Sequence, residues 1–546
     1  MSAAPTLLHP APLTGWWLLM ALLLAAARVA AAQDDPAIGI GEAIYMHGIL
    51  GSGKPLTAVS ASGAVLNGAD AACTNCHRNS GLGSHEGRYD IPPITGRYLY
   101  HQRPSDLVHF DLPFVAQMRF NREPYTDATV ARAIRAGVDS SQRPLKDLMP
   151  RFDLDERDMA GLIAYLKQLD QRSLPGVTGE LLHFATIITP DADPVKRDGM
   201  LAVLNQYFAD KNAASLSPTP RLRSKHAWKF MVNRRWQLHV WQLKGPPDTW
   251  QRQLDEDFAR EPVLAVISGI GGSEWRPVHR FCEARQVPCL FPNVEVPDVA
   301  DLDAYSLYFS RGVLLEAELI ADSIAGGDKK ATTVYQVYRA GDSGEAAARS
   351  LAAALAKEGI RVVDHVLSAG KTAEGAVDRL RAGNTVVLWL RPADLSKLGE
   401  PPFEGNVYLS GLMGGLEFAP LPAAWRPLTR IAYPFDLPAQ RRVRVDFALG
   451  WFRIRHIAVV DQQVQADTYL ACGLLAETLG MLVDAFVPEY LVERLQDMVE
   501  HRVITGYYPR LTLATGQRFA SKGGYLVRFQ NPEGTRLAAA SGWIAP

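Results

Sequence analysis

Cysteine is scarce in this chain, with 5 in 546 residues, which excludes the disulfide-dense scaffolds of small secreted proteins. Net charge is missing as well: 57 basic residues offset 58 acidic ones and leave −1. That balance gives no whole-molecule attraction for nucleic acid or for an anionic membrane surface. Neither G-x-S-x-G, nor H-E-x-x-H, nor a complete phosphate-binding loop occurs, so no motif supports hydrolytic or nucleotide chemistry. One long apolar run exists, Trp16 to Ala27, and it is too short to span a bilayer comfortably. Ala30-Ala31-Ala32 before Gln33 supplies the small residues of a cleavage site. Residues 1–32 therefore read as an export signal, although the segment ahead of the run holds His9 and no Lys or Arg. A periplasmic product is expected, held at the membrane only where the signal stays uncleaved. At this length two to four domains are expected.

The informative stretch is Cys73-Thr74-Asn75-Cys76-His77. Two thiols separated by two residues can each form a thioether to one haem vinyl group, and the adjacent His77 can ligate the iron. A zinc site would need a second Cys/His pair at finger spacing, and none follows. One covalent haem c per chain is the expectation. For the second axial ligand, Met149 stands in Leu148-Met149-Pro150-Arg151-Phe152. An amphipathic run follows from Leu154 to Leu169, with Met159, Leu162, Ile163, Tyr165, Leu166 and Leu169 at helical spacing. A thioether trans to imidazole favours ferrous iron and raises the potential, which suits electron transfer. Met118 competes for the role, and His85, His101 or His109 would give a bis-imidazole site instead.

From Ile38 to about Leu169 the chain resembles a class I c-type cytochrome domain. The resemblance rests on Gly41-Glu42-Ala43-Ile44-Tyr45, the Cys73–His77 motif, Ser80-Gly81-Leu82-Gly83, Pro92-Pro93-Ile94, and Met149-Pro150 before a closing helix. It implies an all-α domain over residues 33–172, with a proline carbonyl accepting the proximal histidine's N–H. Pro92 and Pro93 both fit that role. The resemblance also implies export, because haem c is attached outside the cytoplasm, and a redox partner protein. A periplasmic dehydrogenase is the electron donor that the family's associations suggest.

Leu174-Pro175-Gly176-Val177-Thr178-Gly179 reads as a linker over residues 173–180. Beyond it, strand-like runs at Leu181–Ile188, Gln237–Leu243, Val263–Ser268, Pro288–Phe291, Thr333–Tyr338, Val362–Leu367, Thr385–Leu390, Val407–Ser410 and Ile457–Val460 alternate with helical patterns. The helical ones lie near Val195–Ala209, Asp248–Arg260, Trp275–Arg285, Leu314–Ala325, Gly344–Glu358 and Ala373–Ala382. Such alternation predicts βαβ units with mostly parallel sheets. The strands are too many for one small sheet, so two α/β lobes are expected over residues 181–546.

This half resembles the type I periplasmic solute-binding proteins of the branched-chain amino acid group. Arg197-Asp198-Gly199-Met200-Leu201-Ala202 is similar to that family's first helix. Ile267 to Ser273 is similar to the strand-to-helix loop that holds a ligand carboxylate on backbone amides, a geometry that attracts anions. Tyr308-Phe309-Ser310-Arg311 and Asp342-Ser343-Gly344 match segments of the second lobe. The resemblance implies a cleft between the lobes for a small anionic ligand, with Ser268 and Ser273 facing Arg311, and a kinship with ABC transporter systems. Two departures stand against carrying over amino acid specificity. A base-rich insert from Ser215 to Arg235 replaces a glycine turn, and Gln242-Leu243-Lys244 stands where an acidic residue is expected.

Cys282 and Cys289, seven residues apart, are candidates for a disulfide in an oxidising compartment, and Cys472 for a buried thiol in a helix over Thr468–Leu482. The tail from Tyr507 to Pro546 reads as short strands capping the second lobe. Three functions follow: an exported electron carrier with a docking or sensing module, a solute-binding protein with an accessory haem, or a haem enzyme using the cleft. No catalytic residue is assigned, and the electron carrier is the leading expectation.

Overall fold

The computed structural model describes residues 36–86, 89–100, 122–169, 174–216, 234–299, 304–327, 332–377, 385–402, 404–482 and 485–546. The signal segment, Met118, His101, His109 and residues 217–233 of the basic insert lie outside the described residues. The chain divides into two units, one ending at Arg172 and one running from Ser173 to Pro546 with a short earlier segment.

In the first unit, α1 (Pro36–Glu42) runs on through one π turn, Ala43–His47, and stops at Gly48 with φ 64°. Then come β1 (Thr57–Val59), β2 (Val65–Asn67), α2 (Thr74–His77), β3 (Ser84–Glu86), β4 (Tyr89–Ile91) and α3 (Gly96–Tyr100). Helix α4 (Asp127–Ala136), strand β5 (Arg151–Phe152) and helix α5 (Glu156–Gln168) complete it. The sequence starts its helices in the usual chemistry. Thr126 and Thr129 form a reciprocal capping box on α4, and Asp155 accepts from the Asp158 amide at 2.8 Å on α5. The all-α expectation needs correcting here, because β2-β1-β5 form a three-stranded sheet and β3-β4 a hairpin.

Helices α1 and α5 cross so closely that neither backbone leaves room for a side chain. A Cβ on Gly41 would fall 2.1 Å from the Gly161 carbonyl oxygen and 2.7 Å from Tyr165 Cβ. Directly beside that crossing, the rings of Tyr45 and Tyr165 lie 5.3 Å apart. Ile44, Tyr45, Leu162 and Leu166 are buried in the unit's core.

The second unit holds two seven-stranded sheets. The first lobe is built from β6 (Leu181–Ile188), α6 (Pro194–Leu216), β7 (Arg235–Gln242), α7 (Trp250–Arg260), β8 (Ala265–Ile267), β9 (Ile270–Gly271), α8 (Arg276–Arg285), β10 (Cys289–Leu290), β11 (Asn293–Val294) and β12 (Ser306–Leu307). Its order is β11-β9-β6-β8-β10-β12, with β7 also paired to β6, and all of its ladders are parallel. The second lobe follows with α9 (Val313–Ala325), β13 (Thr333–Arg339), α10 (Ser343–Lys357), β14 (Arg361–Leu367), α11 (Glu374–Val377), β15 (Thr385–Trp389), α12 (Pro392–Leu395), β16 (Asn406–Ser410), α13 (Gly411–Gly414) and β17 (Thr429–Tyr433). Three long helices come next, α14 (Pro438–Ile454), α15 (Gln462–Met481) and α16 (Pro488–His501), and the tail gives β18 (Tyr525–Phe529) and β19 (Leu537–Ala539). In the order β14-β13-β15-β16-β17-β18-β19 the two tail strands run antiparallel and close the sheet edge. The strands read as nearly continuous apolar runs because both sheet faces are covered: all five residues of β15 are buried.

Two sequence expectations move. Ile457–Val460 is no strand; Val459 and Val460 are half exposed in the loop that leads into α15, where Gln465 accepts from the Val460 amide at 2.9 Å. The β-branched residues suggested a ladder, but no neighbouring strand is there to pair with. The fifth parallel strand is β17, within Thr429-Arg430-Ile431-Ala432-Tyr433, a run too short and too polar at Arg430 to stand out. Cys282, Cys289 and Cys472 are all buried free thiols. Among the described residues no helix is long and apolar enough to cross a membrane.

Gly41→Val should lower the melting point of the full chain, at a cost of roughly 1–3 kcal/mol for overpacking. Gly39→Ala, on the same helix but with no atom within 4 Å of its Cβ, should leave melting unchanged or raise it. Equal effects by circular dichroism melting would contradict the close crossing.

Candidate functional site

In the first unit a cavity of about 250 Å³ is lined by Cys73, Cys76, His77, Pro92, Pro93 and Met149, with aliphatic walls from Ile44, Leu162 and Leu166 among others. The motif sits on α2, whose His77 amide donates to the Cys73 carbonyl at 2.9 Å. From His77, Nδ1 lies 3.2 Å from the carbonyl oxygen of Pro92. A carbonyl can only accept, so Nδ1 carries the proton and Nε2 keeps the lone pair. Of the two prolines left open by the sequence, Pro92 therefore holds the histidine. Gly83 makes that return of the chain possible: its φ is 93°, and a Cβ there would meet the Ile91 oxygen at 2.1 Å.

Burial holds the His77 imidazole down to about 4, against a smaller opposing effect from Pro92, so the ring is neutral at pH 7. Burial likewise pushes the Cys73 thiol up to about 12. An apolar site with a neutral imidazole and two thiols on its wall suits thioether attachment of a haem with His77 as an iron ligand. Among the described residues no group of three His, Cys, Asp or Glu side chains is placed to hold a metal ion. Among the residues that line the cavity, the Met149 thioether is a donor that could stand beside His77. Met149 is positioned by its neighbours. Its amide donates to Lys146 O at 3.1 Å, and Phe152 of β5 pairs with Ala58 of β1. Of the bis-imidazole alternatives, His85 is corrected: it does not line the cavity, is 57% exposed and binds Asp90 at 2.6 Å.

In the second unit a cleft of about 800 Å³ opens where the strands of both lobes end, the position at which open α/β sheets receive ligands. Asp191, just past β6, lines it from the first lobe, and Arg391, just past β15, from the second. Among the described residues, the lining has six carboxylates (Asp191, Asp193, Glu295, Glu417, Asp461 and Asp467) and two cations, Lys196 and Arg391. Arg391 is committed, and Lys196 stands near a carboxylate without a hydrogen bond to it. Arg391 binds Glu295 at 2.6 and 2.7 Å and Asp342 at 2.6 and 3.0 Å, and Lys196 lies 3.9 Å from Glu295.

The chain's likenesses to known proteins lie in this second half. No protein-family model matches the chain, and no curated protein matches it. Solved structures similar to it include the branched-chain amino acid binding protein LivJ of Streptococcus pneumoniae in complex with isoleucine (10% identity, 67% of this chain and 100% of that one, TM-score 0.49). A substrate-binding periplasmic protein of Ralstonia solanacearum is similar at 12% identity, over 66% and 99% of the two chains, TM-score 0.49. A branched-chain amino acid ABC transporter protein of Thermus thermophilus with bound valine gives 12% identity, 67% and 97%, and 0.48. At these values the likeness says nothing about ligand, and the two-lobe architecture rests on the sheet orders above.

The three ligand residues expected from the sequence do not converge on the cleft, and none of them lines it. Ser268 is fully buried, donating to Thr468 at 3.1 Å and accepting from Asn293 at 3.0 Å. Ser273 does present its amide at the turn into α8, but Asp191 already occupies it. The Asp191 carboxylate accepts from the Gly272 amide at 3.3 Å, the Ser273 amide at 2.8 Å and the Ser273 hydroxyl at 3.2 Å. Arg311 forks onto Glu318, with one bond of 2.8 Å and one of 2.5 Å. The anion positions of the expected site are thus filled by the protein's own carboxylates. Sequence reasoning missed Asp191, Glu295, Arg391 and Asp467. An acidic residue three positions past the end of a buried strand was the available signal for Asp191.

Asp191→Ala should free the two amides for an external carboxylate. Acetate, compared with chloride at equal ionic strength, should then raise the melting point of the variant and not of the native protein. Equal responses would show that Asp191 does not guard that position.

Proposed function

We propose that this chain is an exported mono-haem c-type cytochrome that transfers electrons, joined to a two-lobe solute-binding-like module. The observation that carries this reading is the convergence of Cys73, Cys76, His77, Pro92 and Met149 on one apolar cavity. The Cys73–His77 motif, Pro92 and Met149, separated in sequence, line the same space. Cys73 and Cys76 would attach haem c, and His77 and Met149 would hold its iron. When bound, the haem supplies a reversible one-electron iron couple.

The chain's own residues prepare that chemistry. Pro92 fixes the tautomer and makes the His77 ring a better donor. Burial keeps the ring neutral, so no proton competes for Nε2 at pH 7. The aliphatic walls would shield a bound haem from water, and such a setting, with a thioether ligand, would favour a high potential. Export to the periplasm follows from the amino-terminal segment and from the site of haem attachment. The redox partner would be another exported protein, with a dehydrogenase as the suggested donor.

A second reading, a periplasmic solute-binding protein whose haem unit is accessory, is favoured by the 800 Å³ cleft. That size lies in the range of about 300–1,000 Å³ typical of small-molecule sites.

Met149→Ala should abolish the charge-transfer band of a methionine–iron bond in the oxidised protein and lower the midpoint potential. His85→Ala should change neither. An unchanged Met149→Ala spectrum would hand the sixth position to Met118, His101 or His109.

A further inference from the structure

The cleft's carboxylates differ in how they are satisfied. Asp191 sits on the Gly272 and Ser273 amides, and Asp193 and Asp461 cap helix starts. Glu295 is held by Arg391 and the Ser343 hydroxyl. Glu417 is held by Arg441 at 3.0 Å and the Tyr433 hydroxyl at 3.0 Å. Asp467, on α15, is the exception. Its Oδ2 accepts from Gln463 at 2.6 Å and from the Tyr508 hydroxyl at 2.9 Å, while its buried Oδ1 has no hydrogen-bond partner. The residue is only 3% exposed. Burial pushes its carboxyl up to about 7, with the hydrogen bonds from Tyr508 and Gln463 and the charge of Arg441 opposing it only in part.

A buried carboxylate oxygen without a donor costs free energy comparable to a lost hydrogen bond, and a ligand that donates there would remove that cost. Aromatic side chains line the cleft with it: Phe309, Phe435, Tyr507 and Tyr508. Ring centroids of Phe309 and Tyr508 lie 5.5 Å apart, as do those of Phe435 and Tyr508. Aromatic faces beside a carboxylate suit an organic cation. The Gly272 and Ser273 amides and Arg391 are held by the protein's own carboxylates, so a ligand carboxylate would find only Lys196, itself 3.9 Å from Glu295.

We propose that the cleft of the second unit binds a small organic amine that carries no carboxylate, with the ammonium group on Asp467 and the body of the molecule against the aromatic residues. This rests on reading the cleft as a ligand site, and it departs from amino acid binding in the group that the ligand must lack.

Two matched pairs test it in the full-length haem-loaded protein: tyramine against tyrosine and isobutylamine against valine, by calorimetry and thermal shift at constant ionic strength. Each pair differs by one carboxylate. At least one amine should bind, at least tenfold more tightly than its amino acid. Asp467→Asn should weaken that amine at least tenfold, while the melting point without ligand stays level or rises, since the cost of burying a carboxylate is gone. Binding of tyrosine or valine as tight as that of its amine would overturn the inference and leave the cleft a ligand site. An Asp467→Asn protein that keeps native amine affinity overturns it as well. The pairwise selectivity stands as a test even where that variant fails to fold. If none of the four compounds binds, the inference falls, and a silent broader screen would remove the ligand-site reading with it. The haem spectrum decides the cytochrome reading independently.

Discussion

The hydrogen bond from His77 Nδ1 to the Pro92 carbonyl, 3.2 Å long, is the constraint on which the first unit's chemistry depends. An imidazole buried among aliphatic side chains must satisfy one nitrogen within the protein before the other can serve a metal. Much of the local structure provides for that bond. Gly83 turns with φ 93° where a side chain would strike the Ile91 carbonyl, and the Ile94 amide donates to Gly81 at 2.8 Å on the return. Behind the cavity the Gly41–Gly161 crossing brings α1 and α5 together, so Ile44, Leu162 and Leu166 can form its aliphatic walls.

The second unit follows a different economy of charge. Its cleft is rich in ionised groups, yet nearly all are neutralised by the protein itself. Asp191 stands where an external carboxylate would be bound, and Glu295 and Asp342 saturate Arg391. Among the described residues that line this cleft, Asp467 Oδ1 is the one buried side-chain oxygen without a hydrogen-bond partner. A two-lobe α/β architecture does not by itself dictate a ligand, because ligand chemistry is a property of the side chains at the strand ends.

Much of this was legible in the sequence where a local rule governs. The C-x-x-C-H spacing, the amphipathic run after Met149 and the apolar runs of the parallel strands are local signals, and the strand expected over Leu181–Ile188 spans those same residues. The small sheet β2-β1-β5 was not legible, because three short segments pair across ninety residues or so without alternation. Ile457–Val460 misled, since β-branched residues favour a strand only where a partner exists. In the cleft the failure was of another kind. Ser268, Ser273 and Arg311 stand at plausible positions on the chain. Which groups they bind depends on Thr468, Asp191 and Glu318, and no periodicity announces those partners.

The intact mass of the exported protein, made in cells competent for haem c attachment, tests the central claim most directly. The structure's cavity, with both thiols and His77 on its wall, predicts the polypeptide mass plus one haem that survives acid–acetone extraction. Replacing Cys73 and Cys76 together by alanine should return the mass to that of the bare chain. A native protein that carries no added mass under those conditions would contradict the account.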